Sequence, residues 1–378
     1  LSNKARRRRR PPAKSRPLRR SSESTPRAGA RGGKGDSIMA GITAATLLAQ
    51  PFGGLINEDV MQQIWDISHI PLPFQDLIGS GSHVNPYAEW TQDALQAPNV
   101  SNSNVDGADV VTDNTNMGNR VGNQTQQSVK RVKVSERAQG SDVIGQSNAL
   151  AYQVTMRQQE LRRDVDAIMV SQQASQADNG TLPGLSAGLG AWLTSHTNNG
   201  ATGSNGGFNT STGIVAAPGN GTKRALSEAA IRDLCQAIYQ DGGDPTVWLA
   251  RPAVVRKVSE YLFSTTAKVA TLFTDVGQEK GPSVAKGSVN VFVTDFGVTL
   301  SLVPDRLMQT TAAGASTAYI ITPAYLMKSD MKGIRTEPLA KTGTADSRMM
   351  VEDWTLKVLV EKAHGAYRDI DETATMTA

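Results

Sequence analysis

The sequence predicts an α+β fold, on three observations. Apolar residues recur at helical spacing in a few long blocks, with Leu150, Val154, Leu161, Val165 and Ile168 at steps of three, four and seven. Short β-branched and aromatic runs lie between and after those blocks rather than alternating regularly with them. Two polar stretches, about 96–127 and 178–222, are dense in Gly, Asn, Ser and Thr and require long connections. With 378 residues and 39% hydrophobic content, the chain has enough apolar material for a core of one large or several smaller domains.

Residues 1–38 carry 13 Lys and Arg, including the run Arg6, Arg7, Arg8, Arg9 and Arg10, against Glu23 and Asp36. With almost no large apolar groups this leader cannot offset the entropy of ordering, and it is expected to be disordered. As a basic arm it would lie on nucleic acid or on an acidic partner. The competing expectation is that it is not translated, because Lys34-Gly35-Asp36 can be encoded as the purine-rich AAAGGAGAC just upstream of Met39. Subtracting the leader leaves 26 basic and 33 acidic residues, a net charge of −7, so the rest of the chain is not a basic nucleic-acid binder.

From Asn57 a short helix is expected through Val60, Met61, Ile64 and Trp65, ending before Pro71 and Pro73. Tyr87, Glu89 and Trp90 read as a strand, and the polar stretch after it reads as a projecting hairpin or loop. Ser128 to Glu136 alternates, with Val132 and Val134 on a largely apolar face, and reads as a strand. Residues 145–177 then predict one helix of about 30 residues, since Pro and Gly are absent from Gln146 to Asp178. Its polar face, Arg157, Glu160, Arg162, Arg163 and Asp164, is expected to meet solvent or another subunit.

The second polar stretch, 178–222, reads as an extended loop interrupted by Leu189, Trp192 and Leu193. Ser227 suits the N-cap of a helix through Ile231, Leu234 and Ile238 that stops at Gly242-Gly243. Val247-Trp248-Leu249 predicts a strand, and Pro252 suits the first turn of a helix through Val255, Val258 and Leu262. Further strands are expected at Val289–Val293, Val298–Val303, Tyr319–Thr322 and Trp354–Val360.

No constellation in the sequence predicts catalysis, a cofactor or a metal. His69, His83, His196 and His364 are far apart and fit no metal spacing. Gly203 to Gly207 and Gly219 to Gly221 lack the Gly-Lys-Ser/Thr that would make them phosphate loops. Asp369 and Asp371 sit in what reads as a solvated polar tail. Cys235, the single cysteine, lies on the apolar stripe of its helix and is expected to be buried. No run of about 18 apolar residues exists that would predict a membrane span.

A series of short motifs, in order and spread over most of the chain, resembles the tailed-bacteriophage major capsid proteins with the Hong Kong 97-type fold, in the SU-ten-like branch. These are Pro73-Phe74 with Gly79 and Gly81, Glu89-Trp90-x-x-Asp93-x-Leu95-x-Ala97-Pro98, Arg120-x-Gly122-Asn123 and Glu160-Leu161-x-Arg163-Asp164. Gly188-Leu189-Gly190-Ala191-Trp192, Gly242-Gly243-Asp244-Pro245, Val293-x-Asp295-Phe296-Gly297, Val303-Pro304-Asp305-Arg306 and Glu337-Pro338-Leu339-Ala340-Lys341-Thr342-Gly343 continue it. Glu89, Trp90, Arg163, Asp164, Trp192, Asp305, Arg306, Glu337 and Pro338 are thereby implied to serve fold and assembly.

The resemblance implies a non-enzymatic shell subunit that assembles as hexamers and pentamers into an icosahedral head around double-stranded DNA, without sequence-specific contact. It implies an N-terminal arm at 39–85, an extended loop at 86–137, and a peripheral domain at 138–222 with its spine helix and Gly-rich loop. An axial domain at 223–320 and a return to the peripheral domain with a C-terminal tail at 321–378 complete it. Scaffolding, portal and decoration proteins are the implied partners, and the virion, assembled in the host cytoplasm, is the implied location. Two other readings stay open: an encapsulin-like compartment of the same fold, and a nucleic-acid-binding protein resting wholly on Arg6 to Arg10.

Overall fold

The computed structural model describes residues 71–262 and 291–377, except positions 94, 96, 108, 110–117, 142, 144, 145, 147 and 295. The basic leader with Arg6 to Arg10, most of the expected arm, the helix expected from Asn57, His69 and Asp295 lie outside the described residues.

The first described element is a single turn, α1 (Pro73–Leu77), which opens on proline and buries Phe74 completely. Strand β1 (Gly79–Ser82) follows, then β2 (Tyr87–Gln92) and β3 (Asn119–Gln124), which pair antiparallel from Tyr87 opposite Gln124 to Gln92 opposite Asn119. Strand β4 (Gln126–Ser135) shows the alternation expected of it, with Val132 buried and Val129, Arg131 and Lys133 exposed. It runs into a short helix, α2 (Glu136–Gly140), where the Ser135 hydroxyl accepts from the Ala138 amide at 3.2 Å.

Helix α3 (Ala149–Met169) is 21 residues long, capped by the Asn148 side chain accepting from the Ala151 amide at 3.0 Å. The helix expected over 145–177 is therefore shorter at both ends. At its C-terminus the Ser171 hydroxyl donates to the Ile168 carbonyl at 2.7 Å. The backbone beyond finds partners outside a helix: Ser175 donates to the Val215 carbonyl, and Gln176 and Leu185 exchange amide hydrogen bonds. Absence of Pro and Gly permits a helix but does not compel one where another segment supplies the hydrogen bonds.

The chain from 178 to 222 contains α4 (Leu189–Trp192), β5 (Thr197–Asn198), β6 (Gly207–Asn209) and β7 (Ile214–Ala216). Residues Ser186 through Leu193 are all buried, which corrects the expected extended loop. Next come α5 (Glu228–Gln240), capped by Ser227 as expected, and β8 (Val247–Ala250). Helix α6 (Pro252–Leu262) starts on its proline. Four strands follow, β9 (Val291–Val293), β10 (Thr299–Pro304), β11 (Ser316–Ile321) and β12 (Leu326–Pro338). The chain ends with β13 (Ala345–Val358) and β14 (Gly365–Ile370).

These strands make two main sheets. The first has the order β1-β12-β13-β4, built on the long antiparallel pair β12–β13, whose register shifts between Asp330 and Lys332 and between Lys332 and Arg335. Such bulges bend a ribbon locally. Helix α3 lies on this sheet through Leu161, packed with Val132 and Met350. The second sheet has the order β5-β14-β11-β8-β10-β9, covered by α5 and α6 through Ile231, Leu234, Cys235, Ile238, Val254 and Val258. Its strands β5 and β14 come from outside residues 223–320. A further apolar cluster joins the end of α3, α4, β8, β11 and β13 through Met169, Trp192, Leu249, Tyr319 and Trp354.

Candidate functional site

Among the described residues, no group of three or more His, Cys, Asp or Glu is arranged to hold a metal. Cys235 is buried, and that burial pushes its thiol up to about 12, far from the reactive thiolate. What the motif residues build is a framework of buried contacts beneath an exposed hairpin tip.

Trp90 and Trp192 come together although about a hundred residues separate them. Their rings lie 5.4 Å apart, and Trp192 stacks on Phe208 at 5.8 Å. The Trp90 indole N–H donates to the Val358 carbonyl at 3.1 Å, and the Gln92 amide reaches the Leu359 carbonyl at 2.8 Å. The root of the β2–β3 hairpin is thus clamped to α4, β6 and the end of β13. Asn123 tightens the clamp: it is fully buried, donates to the Leu356 carbonyl at 2.8 Å and accepts from the Ala187 amide at 3.0 Å. On the outer face, Glu89 pairs with Arg120 across the hairpin at 3.3 Å.

Beyond this root the chain changes character. Every described residue from Ala97 to Asp109 is exposed, with Val100 at 99% and Val105 at 76%. Leu95, just before, is fully exposed. Apolar side chains in such positions are uncovered in the isolated subunit and available to another surface.

Under the hairpin root a polar network holds the Gly-rich segment. Arg368 is 2% exposed and donates to the Gly190 carbonyl at 2.7 Å and the Leu193 carbonyl at 2.8 Å, as well as to Asn199 and Asn205. Asp369, also 2% exposed with φ of 62°, accepts from the Gly200 amide at 2.8 Å and the Gly221 amide at 3.0 Å. The expectation that Asp369 sits in a solvated tail is therefore wrong: it is on a strand of the six-stranded sheet and serves as a buried hydrogen-bond acceptor for two glycine turns. Its neighbour Asp371 caps Thr373. Glu361 works alike, accepting from the Thr194 and Ser195 amides at 2.6 Å and 2.8 Å. No simple sequence pattern marks these three residues, because their partners are backbone atoms of a distant segment.

The remaining motif residues are dispersed. Asp164 pairs with Lys130 of β4, and Arg163 beside it is half-buried. Glu337 pairs with Arg335 at 2.9 Å and, with Pro338, lies exposed at the end of β12. Arg306 is exposed, whereas Asp305 is fully buried and held above the usual carboxylate range by that burial. The sequence reading missed Asp166, fully buried near the end of α3; burial first, then the charge of Asp305, raise its carboxyl to about 7. His364 is fully buried, accepts from the Thr322 amide at 3.2 Å and is lowered to about 4 by burial.

The SU10 major capsid protein family model matches residues 40–371. Comparison with curated proteins finds no match. Among solved structures, the capsid of a native GTA particle is similar with a TM-score of 0.52 at 10% identity, covering 87% of this chain and 100% of that one. Mycobacterium phage Cain gives a TM-score of 0.54 at 10% identity, over 85% of this chain and 97% of that one. The SrpI encapsulin of Synechococcus elongatus PCC 7942 gives 0.50 at 12% identity, over 86% and 96%. At these identities the likeness is one of fold: the Hong Kong 97-type fold of phage capsids.

Proposed function

Because this chain belongs to the SU10 major capsid protein family, we propose that its copies form hexamers and pentamers that close the icosahedral head of a tailed bacteriophage around double-stranded DNA. Membership makes it a structural subunit of a capsid shell in a virion, and an oligomer by nature. The observation that carries the finer reading is the hairpin. Its root is fixed by Trp90, Gln92 and Asn123, while the described residues beyond it leave Val100 almost fully exposed and Val105 largely so. A rigid root with an uncovered apolar tip fits a limb laid over a neighbouring subunit.

On this reading, the hairpin is the extended loop, residues 39–85 are the arm, and α3 on the four-stranded sheet is the spine of the peripheral domain. The six-stranded sheet with α5 and α6 is the axial domain. Glu337, Pro338 and Arg306 are exposed and accessible to contacts between subunits, whereas Trp90, Trp192 and Asp305 act on the fold that presents them. Scaffolding, portal and decoration proteins are the expected partners, and assembly takes place in the host cytoplasm before the shell becomes part of the virion. The net charge of −7 outside the leader suits a wall that encloses DNA without gripping it. Encapsulin shares the fold, and no feature of this chain favours a cargo compartment over a phage head.

Negative-stain electron microscopy with sedimentation, on the chain expressed alone and with a scaffold, tests the proposal. Closed shells or ring-shaped capsomers are expected. Monomers under both conditions would reject it.

A further inference from the structure

Four asparagine–glycine pairs lie among the described residues: Asn179-Gly180, Asn199-Gly200, Asn205-Gly206 and Asn220-Gly221. Such a pair has a chemistry of its own. The glycine nitrogen can attack the asparagine side-chain carbon and close a five-membered succinimide ring, because glycine has no Cβ to obstruct the approach. The reacting atoms belong to adjacent residues, so the pairs differ only in how the glycine N–H and the asparagine carbonyl are held.

In three pairs a carboxylate holds the glycine N–H. Gly180 donates to Asp178 at 2.8 Å, and Asp369 accepts from Gly200 at 2.8 Å and from Gly221 at 3.0 Å. A neighbouring anion opposes loss of that proton, and the hydrogen bond turns the nitrogen away from its own asparagine. At Asn205 both conditions are reversed. The Gly206 amide makes no hydrogen bond among the described residues. Oδ1 of Asn205 accepts from Asn199 Nδ2 at 2.6 Å, the Thr197 hydroxyl at 2.9 Å and the Arg368 guanidinium at 3.2 Å, while its Nδ2 donates to the Thr194 carbonyl at 2.9 Å. Three donors, one of them a buried cation, are thus aimed at the oxygen on which negative charge develops when the carbonyl is attacked. Asn205 is exposed, so water reaches it.

We propose that Asn205 is a self-modification site, which cyclises with Gly206 and is converted to an acidic residue paired with Arg368. The Gly206 amide proton passes to water, its nitrogen bonds to Cγ of Asn205, and the Cγ–Nδ2 bond breaks, Nδ2 leaving as ammonia with a proton taken back from water. A second water opens the ring and leaves aspartate or isoaspartate at position 205. The side-chain oxygen that becomes part of the aspartate carboxylate is the one already in contact with Arg368. That guanidinium is 2% exposed, and its hydrogen bonds end on neutral oxygens of Gly190, Leu193, Asn199 and Asn205. Conversion gives it a counter-charge, so the network holding the Gly-rich segment strengthens after folding.

Peptide mapping with fragmentation spectra, on the full folded chain held at pH 8 in 18O-water, tests this. Rates in urea normalise for local sequence. In the folded chain Asn205 is expected to gain one heavy oxygen at least about tenfold faster than Asn179, Asn199 or Asn220. Thr197→Val, which removes one donor to Oδ1, should slow the conversion about tenfold, and Asn205→Gln, one carbon too long for the five-membered ring, should abolish it. Equal rates at the four pairs in the folded wild type would overturn the proposal, whether or not the variants fold, as would an unchanged rate in folded Thr197→Val. Asn205→Asp, which installs the product, should melt above the wild type; a lower melting temperature would overturn the pairing with Arg368.

Discussion

Two segments of this chain are both dominated by small and polar residues and have opposite physics. Residues 97–109 hold Asn99, Asn102, Asn104, Ser101 and Ser103 with Gly107, and 184–221 are rich in Gly, Asn, Ser and Thr. At Gly107, in the first, a Cβ would meet nothing within 4 Å. At Gly188, in the second, a Cβ would collide with the Ser171 carbonyl oxygen and lie 2.8 Å from that of Ile168; at Gly200 it would collide with the Thr222 carbonyl oxygen. In one segment small and polar residues leave the chain unburied; in the other they let backbone pack against backbone, with Arg368, Asp369 and Glu361 supplying the hydrogen bonds. Composition reports the absence of large side chains, not the reason for it.

Substitution separates the two cases. Gly188→Ala is expected to cause the largest loss, about 3 kcal/mol, because the obstructing atoms are backbone and cannot swing away. A urea midpoint unchanged from the wild type would show that the segment yields. Asp369→Ala should cost about 2 kcal/mol, by stripping two amides of a charged acceptor, and more than Asp369→Asn, which keeps one acceptor and tolerates the positive φ.

Acid tests the same region through His364, next to β14. Its folded value, about 4, lies below the ordinary 6.5, so its contribution is whole above pH 6.5 and is lost as pH falls through 4. A loss of up to about 3 kcal/mol across that window follows from the size of the shift. In His364→Asn the corresponding part of the pH–stability slope should vanish; an identical slope in both proteins would remove His364 as its source. The smallest effect on folding belongs to the exposed hairpin: Val100→Ser with Val105→Ser should change subunit stability by less than about 0.5 kcal/mol. The same pair should slow or block shell formation in light scattering, and normal assembly would show that these side chains meet no neighbour.

Much of the architecture was legible in the sequence. The β4 alternation, the Ser227 cap and Gly242-Gly243 stop of α5, the proline start of α6 and the burial of Cys235 all follow local rules, and the structure has them. The ordered motifs pointed to the capsid family that the match over residues 40–371 shows. Strand β12 escaped notice because its run of Lys, Asp, Arg and Glu residues lacks a clean period of two and its register shifts twice. Strand β14 escaped because Asp369 reads as part of a solvated polar tail, while the amides of Gly200 and Gly221 hold it in the interior. Asp166 was missed for a related reason: a single acid on a helix gives no sign that its side chain faces inward.

Hydrogen exchange on unassembled subunits and on assembled shells tests the central contrast most directly. The account predicts that the amides of 186–193 and of Gly200 and Gly221 are protected in both states, and that 97–107 exchanges freely in subunits and becomes protected only in the shell. Equal, rapid exchange of both segments in the subunit would contradict it, as would a hairpin tip that stays unprotected after assembly.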